Sequence, residues 1–376
     1  MDFQKVSEFL DTFKDHGIPG CDCVVYYNYQ PIYRHFDGYS DAARTKPVDG
    51  SELYWLYSAT KVITCTALMQ LAEQGKLDLE APLANYIPEF KNMLVRDGGN
   101  LVPAKNPILI KDLFSMRAGL NYNIDAPSIQ DKIKESNNQA TTMEIIQALS
   151  NEPLDFEPES HYRYSLAHDV LAAVLEVVTG EKFGDDLKKN IFDPLDMKDT
   201  GFLLTSEKEA RMATLYQYNG ETDQSNEISF TNRYKLTENY ESGGAGLICS
   251  TNDYIKFADA LANWGVSADG HTILFKESID KMRTNVLTKK QLEEFSRNWC
   301  GYGYGLGVRT MINREAAGSK SPIGEFGWDG AAGSFVLIDP ENHIAVFYAQ
   351  HVLNCGHVYT YHYALKNLIY EALGIE

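Results

Sequence analysis

The most informative stretch of the chain is YWLYSATKVITCTAL, residues 54–68, in which Ser58 and Lys61 stand three positions apart. The residues after Lys61 carry apolar side chains at helical spacing up to Gly75, so the pattern predicts a helix that begins near Ser58. Side chains three apart on a helix share a face. A serine hydroxyl becomes a nucleophile when a neighbouring base takes its proton, and a lysine with a lowered pKa can be that base. The segment therefore predicts a nucleophile and its base.

A second serine and lysine with the same spacing, Ser278 and Lys281 in KESIDKM, shows that the spacing alone is a weak signal. The surroundings separate the two copies. Aromatic residues precede Ser58 and a β-branched, small-residue helix follows it, which indicates a buried helix whose start points into a cleft. Charged residues surround Ser278, so we expect an exposed helix there without a catalytic role.

The order of patterns along the chain predicts an α+β fold. Strand-like runs lie near both ends: a hairpin over residues 24–34, and YGYGLGVRTM, GSFVLIDP and HIAVFYAQH after residue 300. Helical patterns such as TTMEIIQALS and AHDVLAAVLEVVTG fill the middle. We therefore predict an antiparallel sheet built from both ends of the chain and flanked by the terminal helices. Residues 1–76 and 285–376 form this sheet domain, and residues 77–284 form an inserted, mostly helical domain.

The composition argues against some classes of binding partner. Apolar residues make up 44% of the 376 residues, charged residues make up 23%, and the formal net charge is −18. No run approaches the ~20 apolar residues of a membrane span. Because nucleic acids and anionic lipids are bound through excess Lys and Arg, we expect neither as a partner. The sequence does not indicate the oligomeric state.

The amino terminus and the cysteines favour a cytoplasmic location. MDFQKVSEFLDTFKDHGIPG predicts an amphipathic helix and lacks the apolar core and cleavage site of a signal peptide, although a trimmed export signal would leave the same sequence. Six cysteines are scattered along the chain, and Cys21 and Cys23 would share one face of a strand. We interpret them as reduced thiols.

Neither a metal nor another cofactor is predicted. The group His351, Cys355, His357 and His362 matches no compact zinc spacing, and the chain contains no HExxH motif. The glycines of SGGAGLICS, residues 242–250, lack the GK[ST] signature of a phosphate loop. We expect them to form a tight turn beside the cleft.

Several segments together resemble the class C β-lactamases, the family VIII carboxylesterases and related penicillin-binding proteins. Besides SATK at residues 58–61, they are LAEQGKLDLEAPLANYIPEF, IKDLFSMRAGL, YRYSLAHDVLAAVLEVVTG, PLDMKDTGF, GGAGLICSTNDYIKFADAL and FGWDGAAGSFVLIDPENHIAVFYAQH. The resemblance covers roughly residues 20–351. It implies the β-lactamase/transpeptidase-like fold, which agrees with the architecture predicted above.

The resemblance assigns a catalytic role to Tyr164 in YSL, where it would shuttle the proton between Ser58 and Lys61. A phenolate needs neighbouring cations, and Lys61 could supply one. Class C enzymes carry Asn at the third position of this motif, whereas this chain has Leu166. That difference disfavours amide or β-lactam turnover. The adjacent residues 168 and 169, His and Asp, are expected to serve packing or capping.

The same resemblance places Trp328, Asp329 and Gly330 where β-lactamases carry Lys-Thr-Gly, and assigns them to substrate binding. Gly330 would let substrate lie along the strand edge. The backbone N–H groups of Ser58 and Ala331 would form the oxyanion hole. Trp328 cannot attract a substrate carboxylate as lysine does, and Asp329 would add negative charge. We therefore expect neutral acyl esters, or an acyl group beside a cationic amine, to be preferred over anionic substrates.

The sequence thus predicts a serine hydrolase that acts through an acyl-enzyme on a small-molecule ester or amide, and is esterase-like rather than an efficient β-lactamase. Three alternatives remain open: an acyltransferase to a small alcohol or amine, a D-amino-acid peptidase (DD-peptidase), and a catalytically silent scaffold on the same fold. Leu166 and Trp328 disfavour the peptidase. The scaffold predicts a damaged nucleophile motif, whereas Ser58, Lys61 and Tyr164 are all present.

Overall fold

The computed structural model describes residues 1–229, 231–297 and 299–375. The α-helices are α1 (Gln4–Leu10), α2 (Thr60–Glu73), α3 (Ile110–Phe114), α4 (Pro127–Glu135), α5 (Thr142–Leu149), α6 (Ala167–Thr179), α7 (Phe183–Leu187), α8 (Ser206–Arg211), α9 (Thr251–Ala262), α10 (Lys276–Met282), α11 (Lys289–Phe295), α12 (Arg314–Ala317) and α13 (Val358–Leu373). The strands are β1 (Gly20–Tyr27), β2 (Gln30–Gly38), β3 (Leu53–Trp55), β4 (Leu94–Asp97), β5 (Asn100–Pro103), β6 (Tyr216–Asn219), β7 (Gln224–Glu227), β8 (Ile248–Ser250), β9 (Tyr302–Tyr304), β10 (Arg309–Met311), β11 (Phe326–Gly327), β12 (Phe335–Asp339), β13 (Ile344–Ala349) and β14 (Val352–Leu353).

The main sheet joins the two ends of the chain, as predicted. Its seven described strands lie in the order β2-β1-β13-β12-β11-β10-β9, and each neighbouring pair is antiparallel. Strand β13 is an inner strand, and its Val346 pairs with Val25 of β1 on one side and Leu337 of β12 on the other. The predicted hairpin is β1–β2, and Asn28 and Tyr29 at its turn adopt positive φ, the conformation of a tight two-residue hairpin loop.

Alternation along β13 explains why both faces of the sheet are covered. Val346 and Tyr348 belong to a core that includes Leu10 of α1 and Leu365 of α13. Because successive strand side chains point to opposite faces, Phe347 lies on the other side, where its ring stacks on Tyr254 of α9 at 4.3 Å between centroids. The terminal helices therefore cover one face of the sheet, and α9 covers the other.

The helical predictions for the middle of the chain are confirmed by α5, α6 and α9, and α2 begins just after Ser58. Gly75, two residues after α2, has φ +66°, which explains why a glycine follows the end of this helix. Two hairpins, β4–β5 and β6–β7, were not predicted, because their short strands are largely exposed and lack an apolar pattern.

Helix α9 lies inside the predicted insert but packs on β1, β12 and β13 of the sheet. Its packing does not follow the predicted boundary at residue 284, and the division into two domains stays a prediction. Within the described residues, no helix combines the length and apolar character needed to cross a membrane.

Candidate active site

Ser58 lies on a short 3₁₀ turn, Tyr57–Ala59, that leads directly into α2. Tyr57 has φ +46°, an uncommon conformation for a residue with a side chain, so the chain bends sharply just before the serine. The preceding strand β3 pairs with β8, and Leu56 N donates to Leu247 O at 2.9 Å. These backbone contacts hold the serine in place at the start of the helix.

Lys61 is completely buried one turn after Ser58. Its Nζ lies 3.3 Å from Ser58 Oγ, and it donates to the carbonyl oxygen of Gly244 at 2.6 Å. Burial lowers the pKa of the Lys61 ammonium to about 7, although the negative charge of Asp169 opposes the shift. A substantial fraction of this lysine is therefore neutral near pH 7, as a general base requires.

Tyr164 joins the same group. Its hydroxyl hydrogen-bonds with Ser58 and accepts a hydrogen bond from Trp328 Nε1 at 3.1 Å. Burial raises the pKa of Tyr164, and the hydrogen bonds from Ser58 and Trp328 only partly oppose this. Burial thus favours the neutral phenol, although Lys61 Nζ lies 4.6 Å from the centre of the Tyr164 ring, and the role of Lys61 in stabilising a phenolate stays a prediction. In this geometry the tyrosine is suited to donate a proton, and Lys61 is better suited to accept one.

Tyr122 was missed by the sequence analysis. Lys61 Nζ donates to the hydroxyl oxygen of Tyr122 at 3.2 Å, and the Tyr122 ring stacks on Tyr164 at 5.3 Å between centroids. Tyr122 stands in the loop after IKDLFSMRAGL, 61 residues from Lys61, and is one of 23 tyrosines. Only its place just after one of the family-like segments could have marked it.

The predicted glycine turn is present, and the carbonyl oxygen of its Gly244 accepts a hydrogen bond from Lys61. Asp169 holds the turn by accepting hydrogen bonds from Tyr240 Oη at 2.8 Å, from Ser242 Oγ and from Gly244 N. A Cβ on Gly244 would lie 2.5 Å from the Asp169 carboxylate, so the turn requires glycine there. Asp169 therefore has the expected structural role, and it also positions the carbonyl group that accepts a hydrogen bond from Lys61.

Ser58 opens into a cleft of about 530 Å³. Gly330 and Ala331 line the same cleft, consistent with the expected oxyanion donors at Ser58 and Ala331. Glycine is also required at position 330 by packing, because an added Cβ would lie 2.3 Å from Leu56 O, on the backbone that precedes Ser58. Much of the wall is aromatic, formed by Tyr162, Tyr164, Phe295, Trp299 and Trp328.

Asp329 does not add free negative charge to the cleft, which corrects the sequence-based expectation. Its Oδ1 accepts from Arg309 Nη1 at 2.7 Å, and its Oδ2 lies 2.8 Å from His362 Nδ1. The Arg309 guanidinium and His362 lower the pKa of the Asp329 carboxyl to about 2 against the opposing effect of burial. Its charge is therefore compensated by Arg309, and this ion pair helps to hold the segment that carries Trp328. A part for Asp329 in substrate binding stays a prediction.

Other residues singled out in the sequence lie away from the cleft. Leu166 is buried in the main core at the start of α6. His168 is buried and hydrogen-bonds the carbonyl oxygen of Phe114, as expected for a packing residue. On α10, which was predicted to be an exposed helix, Lys281 is exposed but Ser278 is buried, so the helix is exposed on one side only. The sequence predicted an exposed helix because this segment has more charged residues than apolar ones, and the apolar residues form only a narrow buried face.

The histidines and cysteines considered for a metal disperse in the fold. His351 hydrogen-bonds Ala213 O, and His362 contacts Asp329. His357 instead lies beside Asp223. Each of the six cysteines, all of them within the described ranges, is an unpaired thiol.

The antiparallel sheet with its covering helices, and the cleft at the start of α2, define a protein of the β-lactamase/transpeptidase-like fold class. The chain belongs to the Beta-lactamase family, whose model matches residues 4–359. The esterase EstB of Burkholderia gladioli is 27% identical over 354 residues, which cover 88% of this chain and 85% of EstB.

Two solved structures share the fold over nearly the whole chain. EstCE1, described as a hydrolase with promiscuous acyltransferase activity, has a TM-score of 0.81 and 24% identity, and the match covers 97% of this chain and 98% of EstCE1. Simvastatin synthase (LovD) from Aspergillus terreus has a TM-score of 0.81 and 20% identity, with 98% of each chain covered. The two solved structures therefore show a shared fold, and the Beta-lactamase family to which the chain belongs has an esterase among the chain's relatives.

Proposed function

We propose that this protein hydrolyses small, neutral carboxylic esters through an acyl-enzyme on Ser58. The observation that carries the proposal is the position of Lys61, whose Nζ lies 3.3 Å from Ser58 Oγ while burial lowers its pKa to about 7. A buried amine that is partly neutral beside a serine at the wall of a cleft has few structural uses, because burying it costs free energy. The same features suit a general base.

In the acylation step, neutral Lys61 accepts the proton of Ser58 Oγ as the oxygen attacks the ester carbonyl carbon. The resulting oxyanion accepts hydrogen bonds from the backbone N–H groups of Ser58 and Ala331. When the C–O bond to the leaving alcohol breaks, Tyr164 gives its proton to the alcohol oxygen and regains one from the Lys61 ammonium. Water then attacks the acyl-enzyme with the same groups in reverse roles, releasing the acid and restoring Ser58.

The cleft supports a neutral substrate. Among the described residues that line it, none is Lys or Arg, so no cation is placed to bind a substrate carboxylate. Glu294 lies at the cleft, where its Oε1 pairs with His161 Nδ1. The aromatic wall offers apolar contact area, which favours an acyl or alcohol group with a hydrocarbon or aromatic body.

The same aromatic wall favours transfer to an organic alcohol as a second candidate. Tyr162, Trp299 and Trp328 can pack against an apolar acceptor, which would then displace water from the acyl-enzyme. EstCE1, which shares the fold, is described as a hydrolase with acyltransferase activity. Supplying an acyl donor with and without a hydrophobic alcohol separates the two reactions: transfer yields a new ester, and hydrolysis yields only the acid.

The nucleophile is tested by intact-mass spectrometry after incubation with a fluorophosphonate probe or with p-nitrophenyl acetate. We expect one covalent adduct and ester turnover in the wild type, and neither in Ser58→Ala. Ser278→Ala is a matched control, since it removes the serine of the second motif, and it should behave as wild type. Absence of an adduct in the wild type would instead favour the silent scaffold.

Substrate class is tested by comparing p-nitrophenyl butyrate, a penicillin and a peptide ending in D-Ala-D-Ala. We expect the neutral ester to have the largest kcat/KM. Efficient penicillin turnover with little esterase activity would contradict the assignment, and release of terminal D-alanine would favour the peptidase.

A further inference from the structure

A group of three side chains outside the cleft has the donor set of a metal site. His16 Nδ1 lies 2.8 Å from Asp223 Oδ2, and His357 Nε2 lies 2.7 Å from Asp223 Oδ1. One ligand atom from each residue can be chosen so that all lie within 4.8 Å of one another. His16 is separated from Asp223 by 207 positions and Asp223 from His357 by 134, so no spacing motif could have indicated the group.

We propose that His16, Asp223 and His357 bind one divalent transition metal ion, with Zn²⁺ as the best match. Two imidazole nitrogens and a carboxylate oxygen are typical zinc donors, whereas Mg²⁺ and Ca²⁺ prefer oxygen alone. Ligand atoms around a tetrahedral zinc lie roughly 3.3 Å apart, so small side-chain rotations would open the present contacts enough to admit the ion. The fourth position would be taken by water.

The surroundings of the group suit this role. Tyr218 Oη donates to Asp223 Oδ1 at 2.6 Å and so orients the carboxylate, as outer partners of metal ligands commonly do. The side chains of His16, Asp223 and His357 are 40%, 42% and 28% exposed, which leaves an ion a path from solvent. Both histidines already direct a ring nitrogen at the carboxylate, so binding requires the tautomer with the proton on the other nitrogen.

The ion would join three separate parts of the fold. His16 ends the 3₁₀ turn after α1, Asp223 lies in the turn of the β6–β7 hairpin, and His357 immediately precedes α13. On either side of His357, residues 354–356 and 358–359 line the cleft of Ser58. Zinc would therefore brace one wall of the cleft without touching its catalytic groups.

The site is tested on the full-length protein after treatment with EDTA. We expect calorimetric titration with Zn²⁺ to give one equivalent bound, and His16→Ala and His357→Ala to weaken that binding at least tenfold. His35→Ala is the matched control, since His35 Nε2 pairs with Asp11 Oδ1 at 2.9 Å as a single histidine and aspartate. Its zinc binding should match wild type.

Co²⁺ in place of Zn²⁺ gives a second measurement, because four-coordinate Co²⁺ has visible absorption bands that are far more intense than those of aqueous Co²⁺. Bands that appear with one equivalent and are lost in Asp223→Asn would support the site. The proposal is overturned if the wild type binds no Zn²⁺ and shows no Co²⁺ bands. It is also overturned if both histidine variants bind Zn²⁺ as the wild type does, which would place the ion elsewhere.

Discussion

Trp328 Nε1 donates a hydrogen bond to the hydroxyl oxygen of Tyr164 at 3.1 Å, and the two rings stack with 5.6 Å between centroids. The bond uses one lone pair of the phenol oxygen and leaves the phenol proton available for donation. Asp329, which follows Trp328 in the chain, accepts a hydrogen bond from Arg309. Trp328 therefore holds the phenol of Tyr164 in position, and the buried Arg309–Asp329 ion pair holds the segment that carries Trp328.

Replacing Trp328 with Phe keeps a stacked ring but removes the donor. A neutral hydrogen bond contributes roughly 1 kcal/mol, so we expect kcat for p-nitrophenyl butyrate to fall about fivefold, with a smaller change in KM. Trp264→Phe, on a tryptophan that packs near Lys276 away from the cleft, is the control and should leave kcat unchanged. An unchanged kcat in Trp328→Phe would show that the bond does not position Tyr164.

The pH dependence of kcat/KM should report Lys61. Its pKa is lowered to about 7 by burial, and the active form is the neutral amine. We therefore expect kcat/KM to rise with pH, to be half-maximal near pH 7, and to fall about tenfold per unit at lower pH. Lys61→Arg, which stays charged, should lose a factor on the order of 100 to 10,000 at every pH. A flat wild-type profile between pH 5 and 9 would exclude Lys61 as the base.

Tyr122→Phe should move that profile. The Tyr122 hydroxyl accepts a hydrogen bond from Lys61 Nζ and so stabilises the charged ammonium. Its removal should lower the pKa of Lys61 further and shift the rising limb of kcat/KM to lower pH. Tyr164→Phe, which removes the proposed proton donor, should instead lower the plateau by a factor on the order of 100. A shift to higher pH in Tyr122→Phe would contradict this arrangement.

Asp329→Asn should destabilise the fold. Arg309 is fully buried, and Asp329 is its closest carboxylate partner, whereas Glu325 Oε1 lies 3.7 Å from Arg309 Nη2. Removing one member of a buried pair costs about 3 to 5 kcal/mol of unfolding free energy, measurable by urea denaturation. Asp280→Asn breaks a more exposed pair with Arg283 and should cost less than about 1 kcal/mol. Equal losses in the two variants would show that burial of the Arg309 pair has no special cost.

Gly244→Ala should impair activity and folding together. The added Cβ would lie 2.5 Å from the Asp169 carboxylate and would displace the carbonyl that Lys61 contacts. Gly220→Ala meets its nearest neighbour at 3.7 Å, an ordinary contact, and serves as the control. We expect a lower melting temperature and kcat/KM only for Gly244→Ala, by differential scanning fluorimetry and ester turnover. Wild-type values for Gly244→Ala would mean that the turn adapts freely.

How far the site can be predicted depends on whether its members are neighbours in the chain. Ser58 and Lys61 were found because a helix places them one turn apart, and Tyr164 was found through the segment around it. Tyr122 lies just outside the family-like segment that precedes it, so the sequence analysis missed it. The orientation of Asp329 could not be predicted either, because its partners Arg309 and His362 come from β10 and α13.

The sequence by itself determined the main helices, the strands of the main sheet and the local pairing of serine with lysine, since these follow from periodicity and spacing within single segments. Only the tertiary structure decided the electrostatics. Burial lowers the pKa of Lys61 and raises that of Tyr164, whereas the charge of Arg309 lowers the pKa of Asp329 against the effect of burial. Folding also brings His16, Asp223 and His357 together. These effects depend on distances between residues far apart in the chain, which folding sets and local pattern does not encode.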